Sequence, residues 1–184
     1  MSLKAAKGGD VYAMINLVVF YDQGRGVKKD ADQAQHWLNA AAESGHWYGL
    51  VEKGMSLLEG HYGSKVDREK GLQALQKAAK SGHSEALKYV ATAYAKGFGL
   101  KRDGKRAVQF AEAAYRQGSA EAASVLAFIY TKGLKEIEAN EEHSQFWATE
   151  AERPGLGLEL LTEKSQKDFL LRIDAIDPFI LKVE

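Results

Sequence analysis

The sequence predicts an all-α solenoid of antiparallel helix pairs closed by a C-terminal capping helix, and three observations carry that prediction. The first is a glycine series: Gly9, Gly45, Gly82, Gly118 and Gly155 stand 36, 37, 36 and 37 residues apart. The second is a parallel series, Gly24, Gly60, Gly97 and Gly133, at 36, 37 and 36. The third is a set of columns in step with both. Asp30, Asp67, Asp103 and Asn140 form one; Ala41, Ala78, Ala114 and Ala151 another; Ala34, Gly71, Ala107 and Ser144 a third. Trp37, Phe110 and Trp147 align with Ala74 as the odd member, and Tyr21, Leu57, Tyr94 and Tyr130 align as well. Self-similarity at a fixed period of this length marks stacked supersecondary units. Helices short enough to fit two per period are marginal alone and gain their stability on neighbouring units.

Composition sets the class. The 184 residues carry 25 Lys and Arg against 25 Asp and Glu, a balance that argues against a nucleic-acid protein, whose footprint would be a basic excess. A 27% charged and 45% hydrophobic content belongs to a globular chain and excludes a wholly disordered one. No apolar stretch reaches the roughly 18 residues of a membrane span. No signal-peptide pattern opens the chain either. Without cysteine there is neither a disulfide framework nor a thiolate zinc site, and the compartment, cytoplasmic or periplasmic, stays open.

The elements follow in order. Residues 1–9 match only the tail of a second helix: Leu3-Lys4-Ala5-Ala6-Lys7-Gly8-Gly9 parallels Gln76-Lys77-Ala78-Ala79-Lys80-Ser81-Gly82. Met1-Ser2-Leu3 is expected to be a cloning leader ahead of this remnant, and the chain a piece of a longer array. Repeat 1 is assigned to 10–45 and repeat 2 to 46–82. Repeat 2 is degenerate: Lys53 stands where leucine is expected, Leu57 replaces tyrosine, Ala74 replaces the aromatic, and its turn reads Gly60-His61-Tyr62-Gly63. Its helices are expected to pack less regularly. Repeat 3, at 83–118, shows the unit plainly. Ala86, Val90, Ala93 and Tyr94 make one apolar face, Gly97 stops the helix, Asp103 caps the next, and Ala107, Phe110, Ala111 and Ala114 line its face. Repeat 4 is 119–155, with a turn that has lost its second glycine. In 156–184, Leu158, Leu161, Phe169, Leu170, Ile173 and Ile176 predict a capping helix or two. Asp177-Pro178 ends it, and the tail Phe179-Ile180-Leu181 is expected to fold back on the last repeat or to dock on another chain.

The first unit reads Ala13, Leu17, Tyr21, Gly24-Arg25-Gly26-Val27, Asp30, Ala34, Trp37 and Ala41-Ala42-Glu43-Ser44-Gly45. The third reads Ala86, Val90-Ala91, Tyr94, Gly97-Phe98-Gly99-Leu100, Asp103, Ala107, Phe110 and Ala114 to Gly118. These residues resemble the Sel-1-like repeat, a relative of the tetratricopeptide repeat with a longer, glycine-rich loop. The resemblance covers roughly residues 5–155. With the period, this family type implies a right-handed superhelix. It also implies a non-enzymatic adaptor or assembly scaffold, commonly bacterial, that holds a protein or peptide on a concave face.

In such solenoids the first helix of each pair lines the inner face. Counting from the tyrosine column places Tyr12, Ile15, Val19 and Asp22 of the first unit there, with Tyr48, Val51 and Met55 of the second. The third supplies Glu85, Lys88, Thr92 and Lys96, and the fourth Glu121, Ser124, Phe128 and Lys132. An apolar, aromatic half thus lies beside a charged half. A contiguous exposed apolar stripe marks an interface, and tyrosine and methionine favour recognition surfaces. The alternative is that Ile15, Val19, Val51 and Met55 contact the upstream repeat or one another.

Other constellations carry less. His46 and His83 share a column with Asp10 and Ser119 just after the closing glycine, which explains them as helix-start polar residues. No HExxH pattern exists, so a metal site is not expected, and no cofactor is expected. Gly24-Arg25-Gly26-Val27-Lys28-Lys29 lacks the preceding strand and the spacing of a phosphate-cradling loop, and it recurs as the repeat turn. Lys101-Arg102-Asp103-Gly104-Lys105-Arg106 reads as solvated surface rather than a patch for an acidic partner. Two other classes compete with the scaffold: a hydrolase with a site on the concave face, and an element that self-associates through its exposed ends or the Phe179 tail. A histidine and a carboxylate converging in a cleft with a strongly shifted pKa would support the enzyme.

Overall fold

The computed structural model describes residues 2–98 and 100–153. Among them are nine α-helices and no strand. They are α1 (Ser2–Lys7), α2 (Val11–Gln23), α3 (Ala31–Glu43), α4 (Trp47–Glu59), α5 (Arg68–Ala79), α6 (Ser84–Lys96), α7 (Gly104–Arg116), α8 (Ala120–Lys132) and α9 (Glu141–Glu152). The connections are short, so within each compact unit consecutive helices turn back on one another and pack in adjacent pairs, an all-α solenoid. The capping segment 156–184 and the Phe179 tail lie outside the described residues, as does Gly99 of the third turn.

The chain forms two compact units, Met1–Ser81 and Gly82–Glu184. In the first, α2 packs on α3, α3 on α4, α4 on α5 and α1 on α2, while α2 also touches α4. Its core gathers Ala6, Val11, Ile15, Leu17, Val18, Leu38 and Ala41. In the second, α6 packs on α7, α7 on α8 and α8 on α9, and α6 touches α8. Trp147, Phe146, Leu126, Ile129 and Val90 are fully enclosed there. First helices of successive repeats therefore lie side by side within each unit.

The aspartate column caps the second helices. Each residue has extended backbone angles, and its side-chain oxygen accepts from an N–H in the first turn. The bonds are Gln33 N to Asp30 at 3.0 Å, Lys70 N to Asp67 at 3.0 Å, Arg106 N to Asp103 at 2.9 Å and His143 N to Asn140 at 2.8 Å. Gly24, Gly60 and Gly97 close the first helices in the left-handed conformation, which glycine adopts without strain. The first-turn glycines are thus a helix stop, as their recurrence implied.

Repeat 2 departs from expectation. Its two helices approach closely despite the missing aromatic, because Gly54 and Gly71 face each other. A Cβ on Gly71 would stand 2.9 Å from the Leu58 side chain and 3.0 Å from the Gly54 carbonyl. Leu58 and Leu75 fill the flanks and are buried. Small residues replace aromatic filling by drawing the backbones together.

Two stability outcomes follow. Asp103→Ala should lower unfolding free energy by about 1 kcal/mol in urea titrations, whereas Asp103→Asn, which keeps the acceptor, should stay within a few tenths. Gly71→Ala should lose about 1–3 kcal/mol through overpacking against Leu58 and Gly54.

Candidate functional site

The predicted inner-face residues separate into two local arrangements, one per unit. In the first, the opening turns of α2 and α4 bring four rings together. Tyr12 stacks on Tyr48 with centroids 5.2 Å apart and planes at 29°, and meets the His46 ring edge-on at 5.6 Å. Trp47 lies 5.8 Å from His46 and 5.4 Å from Tyr48. The sequence puts them there for a local reason. Asp10 caps α2 by accepting from Ala13 N at 2.9 Å, and His46 caps α4 through Nδ1 from Tyr48 N at 3.2 Å. Both caps fix the first turns from which the rings project. His46 is therefore the helix-start residue its column implied, with its ring added to the cluster. Tyr12 leaves 55% of its surface in solvent. Offset-stacked and edge-to-face pairs of this kind are worth about 0.5–1.5 kcal/mol beyond burial.

Two of the predicted residues are not exposed. Ile15 keeps 4% of its surface and Val51 1%. The expectation of an exposed apolar stripe is corrected there, because each first helix is flanked by other helices on more than one side. Ile15 belongs to the unit's core with Ala6, Val11 and Val18. Val19 and Met55 are half-buried. His46 and Trp47 are the residues that counting from the tyrosine column passed over; their adjacency to Tyr48 was the available signal.

In the second unit the charged residues satisfy one another. Lys88 Nζ donates to Glu85 Oε2 at 2.6 Å and to Glu121 Oε2, and Ser119 Oγ donates to Glu85 Oε1 at 3.4 Å. Only 13% of the Lys88 side chain is exposed. Burial alone would lower its pKa, but the bonds to Glu121 and Glu85 outweigh it and hold the ammonium above the ordinary lysine value. The same bond from Lys88, with its charge, holds Glu121 below the usual carboxylate range. Lys96 is exposed, with Nζ 5.7 Å over the Phe98 ring, and Phe128 and Lys132 are exposed too.

The basic run at the start of α7 is largely engaged within the chain. Arg106 pairs with Asp103 at 3.5 Å and donates to the Tyr94 hydroxyl at 3.2 Å; Lys105 pairs with Glu136 at 3.4 Å; and Arg102 Nε donates to Lys96 O at 3.2 Å. Burial raises the Glu52 carboxyl above its usual range, partly offset by the nearby Tyr62 hydroxyl and the charge of His61. The group beside it is a phenol, and His61 itself pairs with Glu59 at 3.5 Å, so this is a half-buried acid next to Tyr62. Among the described residues no group of three metal-ligating side chains gathers, and no helix is long and apolar enough to cross a membrane.

Comparison with known proteins fits this geometry. The sequence model of the Sel1 repeat matches residues 11–46, 49–83, 84–119 and 120–153. A Sel1 repeat protein from Oxalobacter formigenes superposes with a TM-score of 0.64 at 30% identity, over 83% of this chain and 62% of that one. The protein c5321, a protective antigen of uropathogenic Escherichia coli strains with an SLR fold, gives a TM-score of 0.64 at 21% identity, over 93% of this chain and 36% of that one. This chain thus spans less than two thirds of either neighbour. No curated protein matches the sequence.

The Lys88 triad makes a pH-resolved prediction. Glu121 is depressed from 4.5, so its contribution is full above that value and fades as pH falls through the lower folded pKa. Lys88 is raised from 10.5, so its contribution is full below that value and fades as pH climbs through the higher folded pKa. Lys88→Met should therefore be less stable than the parent across the plateau between those limits, with the difference shrinking toward acid. An NMR titration should show the Glu121 carboxyl returning to its ordinary range in the variant; an unchanged titration would refute the triad.

Proposed function

We propose that this chain, which belongs to the Sel1 repeat family, is a non-enzymatic scaffold that holds a protein or peptide on the surface formed by its first helices. Proteins of this family are typically interaction scaffolds and generally non-catalytic. The observation that carries the reading is the ring cluster of Tyr12, His46, Trp47 and Tyr48 with its outermost ring in solvent. Aromatic side chains anchored by packing at their base dominate binding energy when a partner covers them, because they bring large area with little entropy to lose. Ile15 and Val51 serve as the floor beneath this surface rather than as contacts. In the second unit Phe128, Lys96 and Lys132 are the proposed contacts, and the Glu85–Lys88–Glu121 triad keeps the surface beside them ordered.

The test uses peptides selected from a display library on the folded chain. Tyr12→Ala combined with Tyr48→Ala should weaken the selected peptides roughly 30-fold, the equivalent of about 2 kcal/mol at a hot spot. Lys28→Ala, at an exposed site beyond the far end of α2, should leave them unchanged. Equal binding by the folded double variant would overturn the assignment of this face.

A further inference from the structure

Repeat 2 breaks the pattern in a coordinated way. The column Leu17, Val90 and Leu126 is buried and apolar, yet its member in repeat 2 is Lys53. In repeat 3, Tyr94 stacks on Phe110 with planes 2° apart and centroids 5.9 Å apart, and Arg106 covers the Tyr94 ring at 5.5 Å. Repeat 2 has Leu57, Ala74 and Lys70 at those three positions. Both rings are gone, and the cation that would have lain over one of them is left beside Lys53. A pocket of about 440 Å³ opens here, with Gln35, Lys53, Leu57, Ser64, Lys65 and Lys70 in its wall. That is a volume suited to a small ligand or to one or two side chains of a larger one.

The polar groups of the wall are spent except for the ammoniums. Ser56 Oγ donates to His61 O at 2.7 Å, so its 2.6 Å contact with Ser64 Oγ takes its proton from Ser64. Ser64 Oγ accepts in turn from Gln35 Nε2 at 2.9 Å, and Gln35 Nε2 also donates to Tyr62 O. The Gln35 amide is thereby held with Oε1 toward Lys53, whose Nζ donates to it at 3.4 Å. Lys53 makes no ion pair with a described carboxylate, nor does Lys65; Lys70 alone is paired, with Asp67 at 3.3 Å in the same wall. Three cations thus face one carboxylate. Burial, and then the charge of Lys70, hold the Lys53 ammonium below the ordinary lysine value. A half-desolvated cation, pushed further by a like charge, lacks its counter-charge.

We propose that this pocket of repeat 2 binds an oxyanion, a carboxylate or phosphate group, held by Lys53 with Lys65 and Lys70 and oriented by the fixed Gln35. The anion would supply the charge that the repeat's own carboxylates do not. It comes either as a free small anion or as an acidic side chain of a bound peptide. The site shares no residue with the Tyr12 cluster, so its failure leaves the scaffold reading untouched.

The experiment is an NMR titration of the whole chain with inorganic phosphate in one arm. The other arm uses a capped tetraglutamate peptide, with its tetraglutamine counterpart as reference. Saturable shifts confined to residues around 35, 53, 63–65 and 70 are expected in at least one arm. Phosphate alone identifies a free anion, and the glutamate peptide without phosphate identifies an acidic segment. Lys53→Met should weaken the response about tenfold or more, the weight of one charge-assisted hydrogen bond, while Lys80→Met outside the pocket should not. Lys53→Met should also melt at a higher temperature than the parent, because it removes an uncompensated desolvated charge; should it fold poorly, Lys70→Gln gives the same comparison. No saturable shift with either probe, or equal binding by parent and Lys53→Met, overturns the site.

Discussion

Each repeat depends on one residue that serves two helices at once. The side chain of Asp30, Asp67, Asp103 or Asn140 caps the second helix, while its own N–H donates to the carbonyl of the tyrosine-column residue in the first. Those bonds are Asp30 to Tyr21 at 2.9 Å, Asp67 to Leu57 at 2.9 Å, Asp103 to Tyr94 at 3.2 Å and Asn140 to Tyr130 at 2.8 Å. The accepting carbonyl belongs to the last turn of its helix, where no intrahelical partner exists. One backbone amide and one side chain thus satisfy orphaned groups at both ends of the connection and fix the two helices against each other. Between these anchors the loop is free to vary. Tyr21 to Asp30 spans one residue fewer than Leu57 to Asp67, and both close. The fourth loop replaces its lost glycine with a small bridge between Leu134 and Ile137, and Glu136 takes the positive φ.

That constraint explains what was legible in the sequence. Caps, helix stops and close-approach glycines are properties of single positions, and a repeat displays each of them several times, so columns revealed the helices and their pairing. Exposure is not a property of a position. Ile15 and Val51 lie on the face counted outward from the tyrosine column, yet α2 meets α1, α3 and α4, and α4 meets α2, α3 and α5. With neighbours on several sides, only a narrow stripe of each first helix reaches water. Periodicity locates a helix's apolar face but not the second face that stacking covers. Lys88 was placed on the inner face, but its pairing was not legible, for the opposite reason: a lysine reads as solvated until Glu85 and Glu121 are placed around it.

One column shows how much chemistry the same geometry admits. Tyr12, Tyr48, Glu85 and Glu121 occupy equivalent positions at spacings of 36, 37 and 36. Because first helices adjoin within a unit, column neighbours come within reach of each other. Tyrosines there stack directly, 5.2 Å apart, and need no third residue. Glutamates would repel, and the Lys88 ammonium between them turns the repulsion into an ion triad. The triad spends its one ammonium on both carboxylates and leaves no free cation there for a partner. The stacked rings keep an open face, and apolar surface in water gains from being covered. This asymmetry, rather than the count of exposed residues, is why the binding surface is placed on the rings.

The degenerate repeat extends the same logic. Random decay of a repeat would leave unrelated losses, each reducing packing. In repeat 2 the lost Tyr and the lost aromatic are the two members of one stack in repeat 3, and the cation that covers that stack is kept as Lys70. The packing lost with the rings is recovered elsewhere, through Gly54 and Gly71 and the enclosed Leu58 and Leu75. What is not recovered is the charge balance. Lys53 enters a column that is otherwise leucine and valine, where burial and then the charge of Lys70 make its ammonium less favourable. A position that stability alone would fill with leucine holds instead a cation with hydrogen-bonding capacity to spare. Stability given up at one site while the surrounding fold is repaired is the pattern expected where a binding function, not drift, has chosen the residue.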